Sequence, residues 1–264
     1  MSHSDYISLS WQDREIKLEY QWLNADADGP LLIFLHEGLG SISMWRDWPA
    51  QLCQTTQSRG LVFSRYAYGR STPRPPAEQW LPDFMHQQAW EVLPKLLEAL
   101  ELKNEKPVLI GHSDGASIAL LYASRYSHCM RGLVAIAPHL FVEEVSLSSI
   151  AVARENYVNT PLRERLARHH LDVDSAFWGW NDIWLHPEFK SWNIEAEVAQ
   201  ISCPILAVQG ADDEYGTLEQ IRTIQLLVPS TKLAILADCG HSPHRDQSAA
   251  LTNHIQQFLS ALSA

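Results

Sequence analysis

Six short apolar runs recur along the chain: "PLLIFLH" from Pro30, "GLVFSRYA" from Gly60, "KPVLIGH" from Lys106, "RGLVAIAP" from Arg131, "CPILAVQG" from Cys203 and "TKLAILA" from Thr231. A strand covered on both faces needs a continuous apolar run of this kind, without alternation. Most of the intervals carry apolar residues at helical spacing instead, as in "DFMHQQAWEVLPKLLEAL", "GASIALLYASRY", "LEQIRTIQLLV" and "AALTNHIQQFLSAL". Strands that alternate with helices specify a mostly parallel sheet with helices on both faces, an α/β fold. Ahead of them, "YISLSW" and "EIKLEYQWL" alternate in polarity across a polar turn at Gln12 and Asp13, which predicts a hairpin with one buried face. Asp83 is placed to cap the helix that follows it, and Pro94 should kink or restart that helix.

One interval breaks the alternation. From about His139 to Ile201 there is no convincing strand, only helical patterns ("SIAVARENYV", "LRERLARHHL") and the aromatic block "AFWGWNDIWLHPEFKSW". A structureless loop of that length is improbable inside a compact domain. The expectation is a helical insertion, approximately 139–201, within a single domain spanning 1–264.

Composition narrows the function classes. The apolar share of 46% suits a globular chain with a substantial core. The formal charge of −11 argues against nucleic acid and anionic membrane surfaces as partners. No apolar run approaches the ~18 residues of a membrane span, and "MSHSDYISLSWQDREIKLEY" lacks the form of a secretory leader, so a cytoplasmic location is expected. Cys53, Cys129, Cys203 and Cys239 are scattered, without zinc or redox spacing. "EGLGSIS" lacks dinucleotide-binding spacing, and no P-loop occurs, so neither cofactor nor metal is expected.

The chemistry concentrates at "VLIGHSDGAS". Ser113 stands between a strand and a helix, flanked by Gly111 and Gly115, where only small residues let the two backbones pass closely. "GHSDG" fits G-x-S-x-G, a turn that holds a serine hydroxyl out above a sheet at a helix N-terminus. A serine needs a base. His241 in "ADCGHSPH" lies just past a strand, at the sheet edge where sites form; His244, near the start of the last helix, is the alternative. The base in turn needs a carboxylate. "AVQGADDEYG" offers Asp212, Asp213 and Glu214, of which spacing from Gly210 favours Asp213, with Asp212 second.

Ser113, Asp213 and His241, in that order and context, resemble the α/β-hydrolase fold superfamily over nearly the whole chain. The resemblance implies up to eight strands and a helical cap, for which the interval between Ser113 and Asp213 leaves room. It also implies a cofactor-independent serine hydrolase acting on an ester or related acyl bond of a small to medium substrate. Lactone, thioester and carbon–carbon bond hydrolysis stay open on the same scaffold, as does a non-catalytic small-ligand binding protein. By position, "HEGLG" would supply the Gly38 N–H to an oxyanion hole, with the Asp114 N–H as second donor. Glu37 stands where that family usually has glycine, and its side chain either anchors the loop or meets substrate. The Asp114 carboxylate is expected either to border the substrate pocket or to make a structural ion pair or hydrogen bond. Trp178, Trp180 and Trp184 are candidates for the pocket wall, with Trp45 and Trp48 as further candidates. The sequence assigns no oligomeric state.

Overall fold

In the computed structural model, which describes residues 4–262, eight strands form one sheet in the order β1-β2-β4-β3-β5-β6-β7-β8. They are β1 (Asp5–Trp11), β2 (Arg14–Leu23), β3 (Leu31–Leu35), β4 (Arg59–Phe63), β5 (Val108–His112), β6 (Gly132–Ile136), β7 (Ile205–Gly210) and β8 (Lys232–Leu236). The β1–β2 hairpin and the β2–β4 pair are antiparallel, and every other pairing is parallel. Gln12 and Asp13 turn the hairpin, both with positive φ. Each of the six apolar runs contains one strand of β3–β8.

Alternate residues of the central strands β3, β5, β6 and β7 enter opposite cores, whereas the edge strand β8 leaves Lys232 and Ile235 exposed. On β5, Val108 and Ile110 join a layer with Trp45, Trp48 and Leu52 and with Leu251, Ile255 and Phe258 of the last helix, Ser248–Leu262. Leu109 faces the opposite core, with Leu93, Leu96 and Ile118. The segment after Asp83 is helical from Phe84 to Ala99, but it passes through a π-turn at Gln88–Val92 immediately before Leu93 and Pro94. Proline has no N–H and its ring crowds the carbonyl four residues back, and a local widening accommodates both. Asp83 stands at the N-cap position but makes no cap bond; its carboxylate accepts from Gln87 Nε2 instead.

Between β6 and β7 the chain leaves the sheet through helices Glu144–Asn159, Leu162–Leu166, Val173–Trp184 and Glu195–Val198, with a 3₁₀ turn at Pro187–Ser191. The excursion is pinched at its base, where Phe141 bridges Asn193 and Ile194 N–H donates to Leu140 O at 2.8 Å. It is tied to the rim of the sheet on two sides. On one side, Ser146 Oγ and Ser149 Oγ donate to the carbonyls of Tyr215 and Glu214, in the loop after β7. On the other, the buried His170 ring accepts from Gly69 N–H and donates to Leu39 O, both at 3.0 Å. A fixed tautomer follows, and burial agrees with it by lowering the ring's pKa to about 4. No helix among the described residues is long and apolar enough to cross a membrane.

Candidate active site

The turn after β5 carries the most constrained backbone of the site. Ser113 has φ 54° and ψ −123°, a region that side-chain-bearing residues seldom occupy and that marks strain held by its surroundings. Its N–H donates to Ile136 O at 2.9 Å, and its carbonyl accepts from Ala116 and Ser117. The helix Asp114–Tyr126 starts immediately afterwards. The flanking glycines are required by contact: a Cβ on Gly115 would lie 2.1 Å from Leu35 O, and one on Gly111 would lie 2.3 Å from Gly115 O.

Two further loops converge on Ser113 Oγ from the carboxyl ends of β7 and β8. His241 Nε2 is 2.9 Å from Ser113 Oγ, and its Nδ1 is 2.8 Å from Asp213 Oδ1. An ionised carboxylate only accepts, so Nδ1 carries the proton and Nε2 is free to accept from the serine hydroxyl. Burial opposes the charge on Asp213, but the His241 ring and the Tyr215 N–H more than offset it and hold the carboxyl below its usual range. Tyr215 N–H (2.8 Å) and Gln209 Nε2 (3.1 Å) are among the donors to this carboxylate. Asp212 is exposed on the same loop.

His244 is remote from this exchange. It is buried in the short helix Pro243–Asp246, its ring 4.9 Å from Trp45, 5.8 Å from Trp48 and 5.0 Å from His112. Burial holds it neutral, with a pKa lowered to about 3. The same contacts remove Trp45 and Trp48 from the pocket wall. They stack on each other at 5.6 Å beneath the site, in the core between sheet and last helix.

A cavity of about 220 Å³ opens in front of Ser113, smaller than the ~300–1,000 Å³ of sites for drug-sized ligands. Gly38, Asp114, Trp180, Trp184 and His241 line it, and the insertion adds Ile150 and Leu166. Among the described residues, neither the Gly38 nor the Asp114 N–H has a protein acceptor. Trp178 does not reach this cavity. It lies two residues from Trp180, about 200° around the helix, and packs on the other side against Tyr157 and Phe177, with the Arg154 guanidinium over its ring.

Three residues organise the site: His112 and Gln209, which the sequence does not single out, and Glu37, for which it leaves open whether the side chain anchors the loop or meets substrate. His112, fully buried, donates from Nε2 to His241 O at 2.7 Å, and its Nδ1 faces Glu37 Oε2 at 3.4 Å. Glu37 is thus an anchor: burial opposes its charge, but the His112 ring, with the Arg245 guanidinium, holds the carboxyl well below its usual range. Its backbone carbonyl accepts from His36 Nδ1 (2.7 Å) and Arg65 Nη2 (2.9 Å), which fixes the loop after β3. Gln209, buried at the end of β7, bridges Asp213 and the Gly216 carbonyl. A lone polar residue in the apolar run "ILAVQG" was its only trace.

Sheet order, elbow and converging loops define the class. A family model described as the alpha/beta hydrolase family matches residues 32–253, and the chain belongs to that family; it is a hydrolase. Among its relatives, the sn-1-specific diacylglycerol lipase ABHD11 of Danio rerio is 24% identical over 279 residues, covering 92% of this chain and 83% of the relative. The 2-hydroxymuconate semialdehyde hydrolase of Pseudomonas sp. (strain CF600) is 22% identical over 264 residues, covering 91% of this chain and 90% of the relative. Two solved structures share the fold. A thermophilic esterase from Thermogutta terrifontis superposes with a TM-score of 0.77 at 19% identity, covering 100% of each chain. The enol-lactonase from Burkholderia xenovorans LB400 does so with 0.74 at 17%, covering 96% of this chain and 100% of its own.

Proposed function

We propose that this hydrolase cleaves an ester or related acyl bond of a small substrate through a covalent acyl-enzyme on Ser113. The observation that carries the reading is the unbroken hydrogen-bond path from Ser113 Oγ through both nitrogens of His241 to Asp213. In this mechanism His241 Nε2 takes the Ser113 proton as Oγ attacks the carbonyl carbon. The Gly38 and Asp114 N–H groups hold the oxyanion, each worth about 3 kcal/mol in the transition state. The imidazolium gives its proton to the leaving oxygen, then deprotonates the water that releases the acid. Asp213 holds the tautomer and stabilises the charged ring throughout. The helices between β6 and β7 act as a cap that shapes the acyl site, because they supply Ile150, Leu166, Trp180 and Trp184 to its wall.

A fluorophosphonate probe and a panel of short-chain esters test the reading together. Labelling should map to Ser113 and abolish turnover of every ester. A folded protein that neither labels nor turns over any ester is a binding protein on a hydrolase scaffold, and the proposal is then wrong.

A further inference from the structure

Asp114 follows the nucleophile directly, lines the cavity, and is only 1% exposed. Its Oδ1 accepts from Trp184 Nε1 at 3.2 Å, so the side chain lies against a residue that itself lines the cavity. Its Oδ2 is buried and has no partner among the described residues. A buried carboxylate oxygen without a donor is costly, and such atoms are rare unless a ligand or water satisfies them.

The surrounding charges do not supply that donor. Arg65 is the cation nearest in effect, but it forms no ion pair with Asp114. Its guanidinium donates to Glu37 O and lies over the Tyr68 ring, 4.6 Å from its centroid. The other acids on the cavity wall are engaged: Glu37 with His112 and Arg245, and Glu214 with the His241 N–H at 3.0 Å. Among the described residues, Asp114 is therefore the acid of this wall that buries an acceptor oxygen without a partner, whereas Glu214 is exposed. Burial raises its carboxyl to about 6, against the pull of Arg65, so above that pH it is ionised and purely an acceptor.

We infer that Asp114 is a specificity determinant that accepts a hydrogen bond from an O–H or N–H donor on the substrate, a few bonds from the scissile carbonyl. The inference rests on the acyl-transfer reading, in which the N–H of the same residue holds the carbonyl oxygen and so brings its carboxyl close by. The preferred substrates are small hydroxyacyl or aminoacyl esters. Acyl groups bearing their own carboxylate are disfavoured, because three acids line a cavity whose arginine, Arg245, is already paired with one of them.

The test uses near-isosteric methyl esters followed by acid release above pH 7. Methyl 2-hydroxypropanoate is paired with methyl 2-methylpropanoate, and methyl 3-hydroxybutanoate with methyl 3-methylbutanoate. Methyl 3-aminobutanoate and methyl hydrogen succinate add the cationic and anionic arms. In wild type, kcat/KM should favour a donor-bearing ester over its partner by about tenfold, the scale of a hydrogen bond to a charged group, and the succinate should be the poorest. In Asp114→Asn, Trp184 N–H retains the amide oxygen, which leaves an NH₂ donor in the place of Oδ2. The preference for methyl 3-aminobutanoate over methyl 3-methylbutanoate should then fall to one or invert, because an ammonium only donates, whereas a hydroxyl can also accept from that NH₂. Wild-type ratios near one for the donor-bearing esters, or an ammonium-ester preference that survives the substitution, overturn the inference. The wild-type ratios need no variant, so a misfolded Asp114→Asn does not shelter it. Failure of Ser113 to label with fluorophosphonate overturns the acyl-transfer reading and this inference together; normal labelling with flat ratios overturns this inference alone.

Discussion

The loops at the carboxyl ends of β3, β5, β7 and β8 and the helices between β6 and β7 meet at the same cavity but are held by different forces. The loops hang from strands of five or six residues, three of them buried on both faces, and are fixed by backbone bonds and buried polar side chains: His36, His112, Gln209 and Asp213. The helices are held mostly by aromatic packing, such as Tyr157 on Phe177 at 3.6 Å and Phe189 on Trp192 at 5.2 Å. They are attached to the loops by a few hydrogen bonds at their ends. Reaction geometry demands positions good to a fraction of an ångström, and directional polar contacts to a rigid sheet give that. A pocket wall needs shape, which packing supplies and which changes with single side chains.

The sharpest way to break this comparison is through the acid. Asp213→Asn should lower kcat by about four orders of magnitude, because an amide favours the wrong tautomer of His241. Asp212→Asn, on the exposed neighbour, should stay within a factor of a few. Equal losses in steady-state kinetics would mean that the loop as a whole, rather than one directional contact, positions the base.

A second test addresses three buried histidines, His139 and His170 where the two regions meet and His244 beneath the loops. Burial lowers them to about 3, 4 and 3 respectively. Each pKa falls below its unfolded value of about 6.5, so the unfolded chain binds the extra proton. Their contribution is complete above pH 6.5 and is lost as pH falls toward 4, by up to about 1.4 kcal/mol per pH unit for each ring. Glu37 and Asp213, both held low, act in the same direction at more acid pH. Asp114, raised to about 6, opposes them by taking up a proton in the folded state. Thermal unfolding should therefore shift to lower temperature from pH 6.5 to 4.5, and His170→Asn should flatten that slope. A transition temperature that is constant or rises over this window contradicts the assignment of neutral buried rings.

The smallest effects separate two tryptophans of one helix. Trp184→Ala, which opens the cavity wall, should raise KM about tenfold and alter acyl-chain preference while changing kcat less. Trp178→Ala should leave both constants within a factor of two and cost only some thermal stability. If Trp178 shifted chain preference as much as Trp184, the helix would act as one lever and not as a set of independent contacts.

These contrasts also explain what could be read in advance. The runs behind β3 to β7 were legible because burial demands uninterrupted apolar residues; the run behind β8 was equally apolar although that edge strand leaves Ile235 exposed. Ser113 was legible because its turn demands small neighbours, and both leave marks within a few residues of chain. Choosing His241 over His244 followed from its place at a strand end. The wall of the cavity was only half legible. A tryptophan cluster announces a packed helix, yet helical rotation divides Trp178 from Trp180 and Trp184, a distinction that the aromatic content of the block hides. His112, Gln209 and the anchoring role of Glu37 depend on partners from 37 and 112 to 209 and 241 meeting in space. No local pattern encodes such meetings.

The two-sided grip of His170 bears on how such an enzyme can be altered. One imidazole receives the Gly69 N–H and gives its own proton to the Leu39 carbonyl, beside Gly38. A foreign insertion grafted between β6 and β7 would arrive without that ring; the loops after β3 and β4 would keep their direct bonds through Arg65 but lose the tie that holds both to the insertion. The transplant must therefore carry a residue able to accept at one end and donate at the other. Side chains along the inner wall can be exchanged singly without touching that requirement, so substrate range is better recast residue by residue than by wholesale exchange of the segment.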